Sequence, residues 1–184
     1  MQPILCIASE LDASEIAALV NKAYRPSLHQ RGWTHEADLV SGERTSPEQV
    51  LSLFGPQSFI LVLCQDAIIV ACVHIQRSES SAYIGMLATE PRCQSRGLGK
   101  NMLACAEQYA IKHFKATTFK ISVLSSRPEL ISFYERRGYV RTGHVESYPV
   151  SAGVGQPLVA GLQVKTLVKM ANPALQRTLL SSRR

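Results

Sequence analysis

The most informative stretch of the chain is MLATEPRCQSRGLGK, residues 86–100. An apolar strand-like run is followed by a polar loop, and Gly97-Leu98-Gly99 then opens an amphipathic helix. A helix N-terminus presents unpaired N–H groups and a positive dipole end, and glycines let a phosphate come close to those groups. Three cationic side chains lie in the same stretch: Arg92, Arg96 and Lys100. The stretch therefore predicts a pyrophosphate-binding site.

Two common phosphate motifs do not fit this stretch. The dinucleotide fingerprint G-x-G-x-x-G requires a glycine where the chain has Met102. A P-loop requires a glycine at the position of Gln94 and a Ser or Thr at the position of Asn101. The pattern that does match is Q/R-x-x-G-x-G/A, formed by Gln94, Gly97 and Gly99.

That pattern resembles the coenzyme A motif of the GNAT acetyltransferase superfamily. A second family motif, F-Y-E-x-x-G-F/Y, follows about 35 residues later as Phe133-Tyr134-Glu135-Arg136-Arg137-Gly138-Tyr139. The clear resemblance covers residues 83–139. Residues 32–39 also resemble a G-W-T-x-E-A-D-L stretch of an uncharacterised bacterial subgroup. The resemblance implies an N-acetyltransferase that uses acetyl-CoA and needs no metal.

The resemblance also implies roles for individual residues. The backbone of Met86, Leu87 and Ala88 would pair with the pantetheine arm as an added strand does, and the Leu87 N–H would stabilise the oxyanion. Tyr134 would protonate the departing thiolate, although a core tyrosine with a satisfied hydroxyl is the alternative. Where the family often has Asn, this chain has Arg127, which we predict to reach a phosphate or the acceptor. The pyrophosphate would be held by Gln94, Ser95, Arg96, Gly97, Leu98, Gly99 and Lys100.

The acceptor side of the site is predicted from residues 31–39, between the first two helices. Trp33 beside Glu36 and Asp38 suits a cationic amine. The alternative is a solvated loop that Trp33 anchors to the core. Glu36 is the leading candidate for the general base, ahead of Asp38 and Glu79.

Periodicity along the chain predicts one mixed α/β (α+β) domain over residues 1–170 and a C-terminal tail over 171–184. The predicted order is a strand, two helices, three strands, a helix, a strand, a helix and two strands. The resemblance implies a GNAT-like central mixed, mostly antiparallel sheet of about six to seven strands flanked by about four helices. A long Gly/Pro-rich loop at residues 149–162 favours a functional role, because such loops are uncommon in compact domains.

Composition limits the remaining classes. The 184 residues are 46% hydrophobic and 18% charged, which fits a globular domain. No apolar run approaches the length of a membrane span, and no secretory signal is recognisable. Five cysteines without C-x-x-C spacing predict reduced, buried thiols, and the scattered histidines match no metal motif. We therefore expect a cytoplasmic protein with no metal and no membrane partner.

Three functions remain open from the sequence. The first is acetyl transfer to a small-molecule or peptide amine. The resemblance is compatible with a homodimer, which is common in the family, and the sequence leaves the oligomeric state open. The second is a non-catalytic acyl-CoA-binding module. The third is a nucleic-acid binder, which rests only on the net charge of +6. We expect no nucleic acid partner, because the basic residues near Gly97 already have a phosphate-bearing ligand.

Overall fold

The computed structural model describes residues 3–26 and 32–172. Its main sheet has seven strands in the order β1-β3-β4-β5-β6-β9-β7, and β2 and β8 form a separate two-stranded ribbon. The fold class predicted from the sequence is confirmed. The elements are β1 (Ile4–Ile7), α1 (Ala13–Tyr24), β2 (Val40–Ser41), α2 (Pro47–Leu51), β3 (Ser58–Gln65), β4 (Ile68–Ser78), β5 (Ser81–Thr89), α3 (Leu98–Tyr109), β6 (Thr118–Leu124), α4 (Pro128–Glu135), β7 (Val140–Ser147), β8 (Gln156–Pro157) and β9 (Gln163–Met170).

Local signals place most helix ends. Ser46 and Gln49 form a reciprocal capping box at the start of α2, with Pro47 in the first helical position. Gly138, at φ +87°, adopts the left-handed conformation that favours glycine just after α4. α4 itself ends at Glu135, with Arg136 as its C-cap.

The sheet separates two apolar layers. On one face, α3 and α4 pack Met102, Leu103 and Ile131 against the strands. On the other face, α1 and α2 pack Ile16 and Val50. Burial of this apolar surface is the main force that holds the four helices on the sheet.

The centre of the sheet is open. All strand pairs are antiparallel except β5 with β6, which run parallel and pair only at residues 81–83. Beyond Tyr83 the two strands diverge. In the same part of β5 the register against β4 slips by one residue, because Met86 is bulged out at φ +50°. The divergence and the bulge together create a gap in the middle of the molecule.

Two sequence-based expectations need correction or lie outside the description. All five thiols are free, but only Cys72 is buried; Cys64, Cys93 and Cys105 are partly buried, and Cys6 is exposed because β1 is an edge strand. The predicted tail lies outside the described residues from 173 onward. Ala171 is still part of the core: it is buried, and its N–H donates to the Thr117 carbonyl.

Candidate active site

A cavity of about 230 Å³ opens where β5 and β6 diverge. Its walls come from the start of α3 and the loop before it, the end of β5, the inner face of α4, and α1 with the segment that follows it. The lining residues are Tyr24, Trp33, Thr34, Leu87, Thr89, Gln94, Ser95, Gly97, Leu98, Gly99, Lys100, Leu130, Phe133, Tyr134 and Arg137.

One end of the cavity is built for an anion. Ser95 and Gly97 both have positive φ, which turns the chain sharply into α3. The first N–H groups of this 12-residue helix have no partner within it, and Gly99 leaves the wall free of a side chain. The Lys100 ammonium and the Arg137 guanidinium add positive charge. These features fit a pyrophosphate group.

The predicted cationic residues are only partly found in the wall. Lys100 lines the cavity, whereas Arg96 and Arg92 are exposed side chains outside its lining. Arg137 was not predicted to line the cavity. Its guanidinium is placed there by stacking on the Phe133 ring, 3.5 Å from the ring centroid, and this contact exists only when α4 is folded. The helical spacing of residues 133 and 137 is the signal that could have found it.

The predicted strand residues divide between the two faces of β5. Leu87 and Thr89 line the cavity, Ala88 is buried against α1, and Met86 faces a different cavity described below. The edge of β5 that faces β6 carries no strand pairing beyond Tyr83. A ligand with amide groups could pair with that edge.

Tyr134 lies on the buried face of α4 and lines the cavity. Its ring makes edge contacts with Phe133 and Tyr139, at centroid distances of 5.2 and 5.7 Å. The hydroxyl makes no hydrogen bond with residues 3–26 or 32–172, so the alternative of a satisfied core hydroxyl is not supported. Burial raises the pKa of the phenol above its usual value, so it stays protonated at neutral pH.

Tyr24 is a site residue that the sequence did not indicate. It ends α1, lines the cavity, and donates its hydroxyl to the Leu87 carbonyl at 3.1 Å. Burial raises its pKa as well, so it remains a donor. In sequence, Tyr24 is one more apolar position of an amphipathic helix, and no local pattern distinguishes it.

The segment 32–35 crosses one side of the cavity and is clamped from two sides. The Gln94 side chain accepts from the Trp33 N–H at 3.0 Å and donates to the Thr34 hydroxyl. A Cβ at Gly32 would lie 2.4 Å from the Gln94 amide oxygen, so a larger residue there would displace the Gln94 side chain. Gln94 thus lines the cavity and also holds the segment beside it.

Arg127 forms the second clamp, which corrects its predicted role. Its buried guanidinium donates to the carbonyls of Trp33, Thr34 and His35 and pairs with Glu129. These contacts use most of its five N–H donors, and Arg127 does not line the cavity. It therefore positions the segment rather than reaching a phosphate or an acceptor.

The predicted acceptor carboxylates are not gathered in the cavity. Glu36 is buried in an ion pair with Arg25 at 2.8 Å and does not line the cavity, and the Asp38 side chain is exposed on the outer side of the segment. Glu79 lies in the turn between β4 and β5, at the end of β5 opposite to the bulge. Trp33 does line the cavity, with its ring 5.7 Å from that of Phe133.

A second cavity, of about 320 Å³, lies on the α1/α2 face of β5. Tyr83, Gly85 and Met86 form its floor, His74 of β4 lies beside them, and the loop after β7 forms an outer wall. The Ser58 hydroxyl donates to the Leu53 carbonyl and lies 2.7 Å from His74 Nε2, so that nitrogen is the donor. Burial lowers the pKa of His74 to about 4, so the ring is neutral at pH 7.

Among residues 3–26 and 32–172, no helix is long and apolar enough to cross a membrane. The same residues contain no group of three or more His, Cys, Asp or Glu placed to hold a metal ion.

Comparison with known proteins identifies the domain and its fold. The family model for the acetyltransferase (GNAT) domain matches residues 37–148. A search of curated proteins finds no match. Similar solved structures include the ribosomal-protein-S18-alanine N-acetyltransferase of Escherichia coli, with 16% identity and a TM-score of 0.67 over 93% of this chain and 97% of that one.

Two further structures show the same fold. The spermidine/spermine N-acetyltransferase SpeG of Vibrio cholerae is 16% identical, with a TM-score of 0.64 over 100% of this chain and 98% of that one. A candidate streptothricin acetyltransferase of Bacillus anthracis, solved with acetyl coenzyme A, is 17% identical, with a TM-score of 0.54 over 64% of each chain. At these identities the likeness extends to the fold alone.

Proposed function

Because the GNAT domain model matches most of its length, the chain belongs to the GNAT acetyltransferase family, and we propose that it transfers an acetyl group from acetyl-CoA to an amine. The observation that carries this proposal is the cavity between β5 and β6. It joins the anion-binding start of α3 to the hydroxyl of Tyr134, which has no hydrogen-bond partner among the described residues, through one continuous space. A cofactor with a pyrophosphate at one end and a thioester at the other suits both ends.

The chain offers a group for each part of acetyl-CoA. The first N–H groups of α3, with Lys100 and Arg137, would hold the pyrophosphate. The unpaired edge of β5 at residues 86–88 would pair with the amides of the pantetheine arm. The thioester would then lie near Leu87 of β5 and Tyr134 of α4, which both line the cavity.

We propose direct transfer within a ternary complex. The amine nitrogen attacks the thioester carbonyl, the new C–N bond forms, and the C–S bond breaks. The Leu87 N–H would stabilise the oxyanion, and such a donor is typically worth about 3 kcal/mol in the transition state. Tyr134 would give its proton to the sulfur.

The amine must also lose a proton. Glu36, the base favoured by the sequence, is held by Arg25, and direct abstraction would break a buried ion pair. We propose that this proton leaves through water in the open cavity and that Glu36 fixes the position of Arg25 beside the segment.

An activity assay on purified protein tests this function. Acetyl-CoA is incubated with a panel of primary amines, and free thiol and acetylated product are quantified together. We expect one thiol per acetylated amine, and much slower release in Tyr134→Phe. If the protein binds acetyl-CoA but acetylates no amine, it is a binding module and not an enzyme.

A further inference from the structure

The second cavity lies next to the first, on the opposite face of β5. Met86 lines the second cavity and Leu87 lines the first, so the bulge is the boundary between them. Tyr24 also joins the two: its ring lines the first cavity, and the Arg44 guanidinium of the second cavity lies over it, with its central carbon 5.5 Å from the ring centroid. A molecule in the second cavity would therefore approach the thioester from across the strand.

The wall of the second cavity has an unbalanced charge. Among the described residues, Arg44 is the one formally charged side chain in its lining, because the His74 ring is neutral at pH 7. Its guanidinium makes no ion pair or hydrogen bond with residues 3–26 or 32–172, and it is half-buried. The remaining polar groups of the wall are neutral amides and hydroxyls. A cation on one side without a carboxylate to balance it favours an anionic ligand group.

Hydrogen bonds hold the outer wall of the second cavity in place. Gln49 of α2 donates its side-chain amide to the carbonyls of Ala152 and Gly153, which ties the loop after β7 to α2. The pairing of β8 with β2 fixes that loop further. β2 ends at Ser41, three residues before Arg44. A volume of about 320 Å³ is within the range of small-molecule pockets.

We infer that the acceptor is a small molecule carrying both an amine and a carboxylate, with the carboxylate bound by Arg44 and the amine directed at the β5 bulge. This inference rests on the proposed function. The guanidinium presents a planar pair of N–H donors, which matches the two oxygens of a carboxylate. Polyamines are disfavoured, because no carboxylate among the described residues lines this cavity to pair with a second ammonium group.

The test compares two pairs of amines that differ by one carboxylate and a third pair in which a phosphonate replaces the carboxylate. Initial rates of thiol release are measured for phenylalanine against 2-phenylethylamine, for lysine against 1,5-diaminopentane, and for β-alanine against 2-aminoethylphosphonate. Each pair is run with wild type, Arg44→Gln, Arg44→Lys and Arg141→Gln. Arg141 is the control because it lies on β7, is exposed, and is outside both cavities.

For wild type, kcat/KM should favour a carboxylate-bearing member of its pair by about tenfold or more, the usual value of a charged hydrogen bond. Arg44→Gln should remove that preference through a higher KM, while Arg44→Lys restores part of it and Arg141→Gln matches wild type. The Kd for acetyl-CoA should be the same in all four proteins, which shows that the variants are folded.

Several outcomes overturn the inference. A wild type that prefers the amines without a carboxylate contradicts it, and so does an Arg44→Gln variant that slows both members of a pair equally. A preference for the phosphonate over β-alanine would assign the site to a phosphate-like group instead of a carboxylate. If only amines without a carboxylate are turned over, this inference is wrong but the proposed function stands. If no amine is turned over, both are wrong.

Discussion

At the scale of single residues, Tyr134 combines a buried ring with a hydroxyl that has no hydrogen-bond partner among the described residues. The hydroxyl oxygen is not one of the solvent-excluded polar atoms of the described residues, so it opens onto the cavity. It can therefore donate to a ligand in the cavity without first breaking a bond within the protein. The raised pKa keeps the phenol protonated at neutral pH, so it can donate a hydrogen bond to sulfur as the thiolate leaves.

Tyr134→Phe should lower kcat by about 100-fold, which is the low end for a positioned acid because a thiolate leaves readily. The KM for acetyl-CoA should change little, since the ring is kept. Steady-state kinetics of the best amine from the panel measures both values. Tyr109→Phe is the control, as that ring packs against Phe59 away from the cavity; an unchanged kcat in Tyr134→Phe would remove Tyr134 from the mechanism.

His74 makes a prediction about pH and stability. The unfolded imidazole titrates near pH 6.5 and the folded one at about 4. Between these values the unfolded chain binds a proton that the folded protein does not, so the free energy of unfolding falls as the pH falls. The total loss from this residue is about 3 kcal/mol.

Urea unfolding of wild type and His74→Gln at pH 7, 6, 5 and 4 measures that contribution. Wild type should lose stability more steeply than the variant below pH 6.5, and the two curves should run parallel above it. Curves that stay parallel over the whole range would mean that His74 protonates in the folded state as readily as in the unfolded chain.

Residue types alone could predict the glycines at 97 and 99, because backbone conformation and phosphate approach limit those positions. They could not predict the use made of Gln94 and Arg127. Both are polar residues in a phosphate-binding region, but in three dimensions they meet carbonyls and N–H groups of residues 33–35, some 60 to 94 positions earlier in the chain. No local pattern reports such a distant partner.

At the scale of elements, the segment 32–35 is held by side chains rather than by secondary structure. The Arg127 guanidinium is the main support, because it joins three successive carbonyls to the start of α4. Trp33 and Thr34, which line the cavity, depend on that support. A residue at the start of α4 therefore holds this part of the cavity wall in place.

Arg127→Lys should destabilise the protein by about 3 kcal/mol, because a single ammonium cannot replace the fork and buried acceptors lose their donors. Urea unfolding measures the change. Arg141→Gln is the matched control: its pair with Glu135 is exposed, so about 0.5 kcal/mol or less is expected. Equal losses of stability in the two variants would mean that the hydrogen bonds of Arg127 do not stabilise the folded protein.

Elements with strong local signals were predicted well, and those that depend on distant pairing were not. The capping box of α2, the continuous apolar runs of β3 and β4 and the alternating run of β9 are each encoded within a few residues. The β2–β8 ribbon joins two-residue strands about 115 positions apart, so neither strand has a periodicity of its own. The bulge in β5 could not be predicted from the sequence either, since Met86 has no feature that distinguishes it from other strand residues.

At the scale of the whole molecule, the two cavities lie on either side of one bulged strand. The divergence of β5 and β6 provides the first cavity, and the α2 side of β5 provides the second. A cofactor and an acceptor could therefore occupy separate spaces and meet at residues 86–87. The central claim beneath this arrangement is that the first cavity binds coenzyme A.

The most direct test is a calorimetric titration of acetyl-CoA into wild type, Gly99→Glu and Asn101→Glu. Both variants add one negative charge to the first turn of α3, where acidic residues favour the helix, but only residue 99 lines the cavity. We predict saturable micromolar binding to wild type and Asn101→Glu and no measurable binding to Gly99→Glu. Absence of binding to wild type, or equal binding by the two variants, would contradict the account.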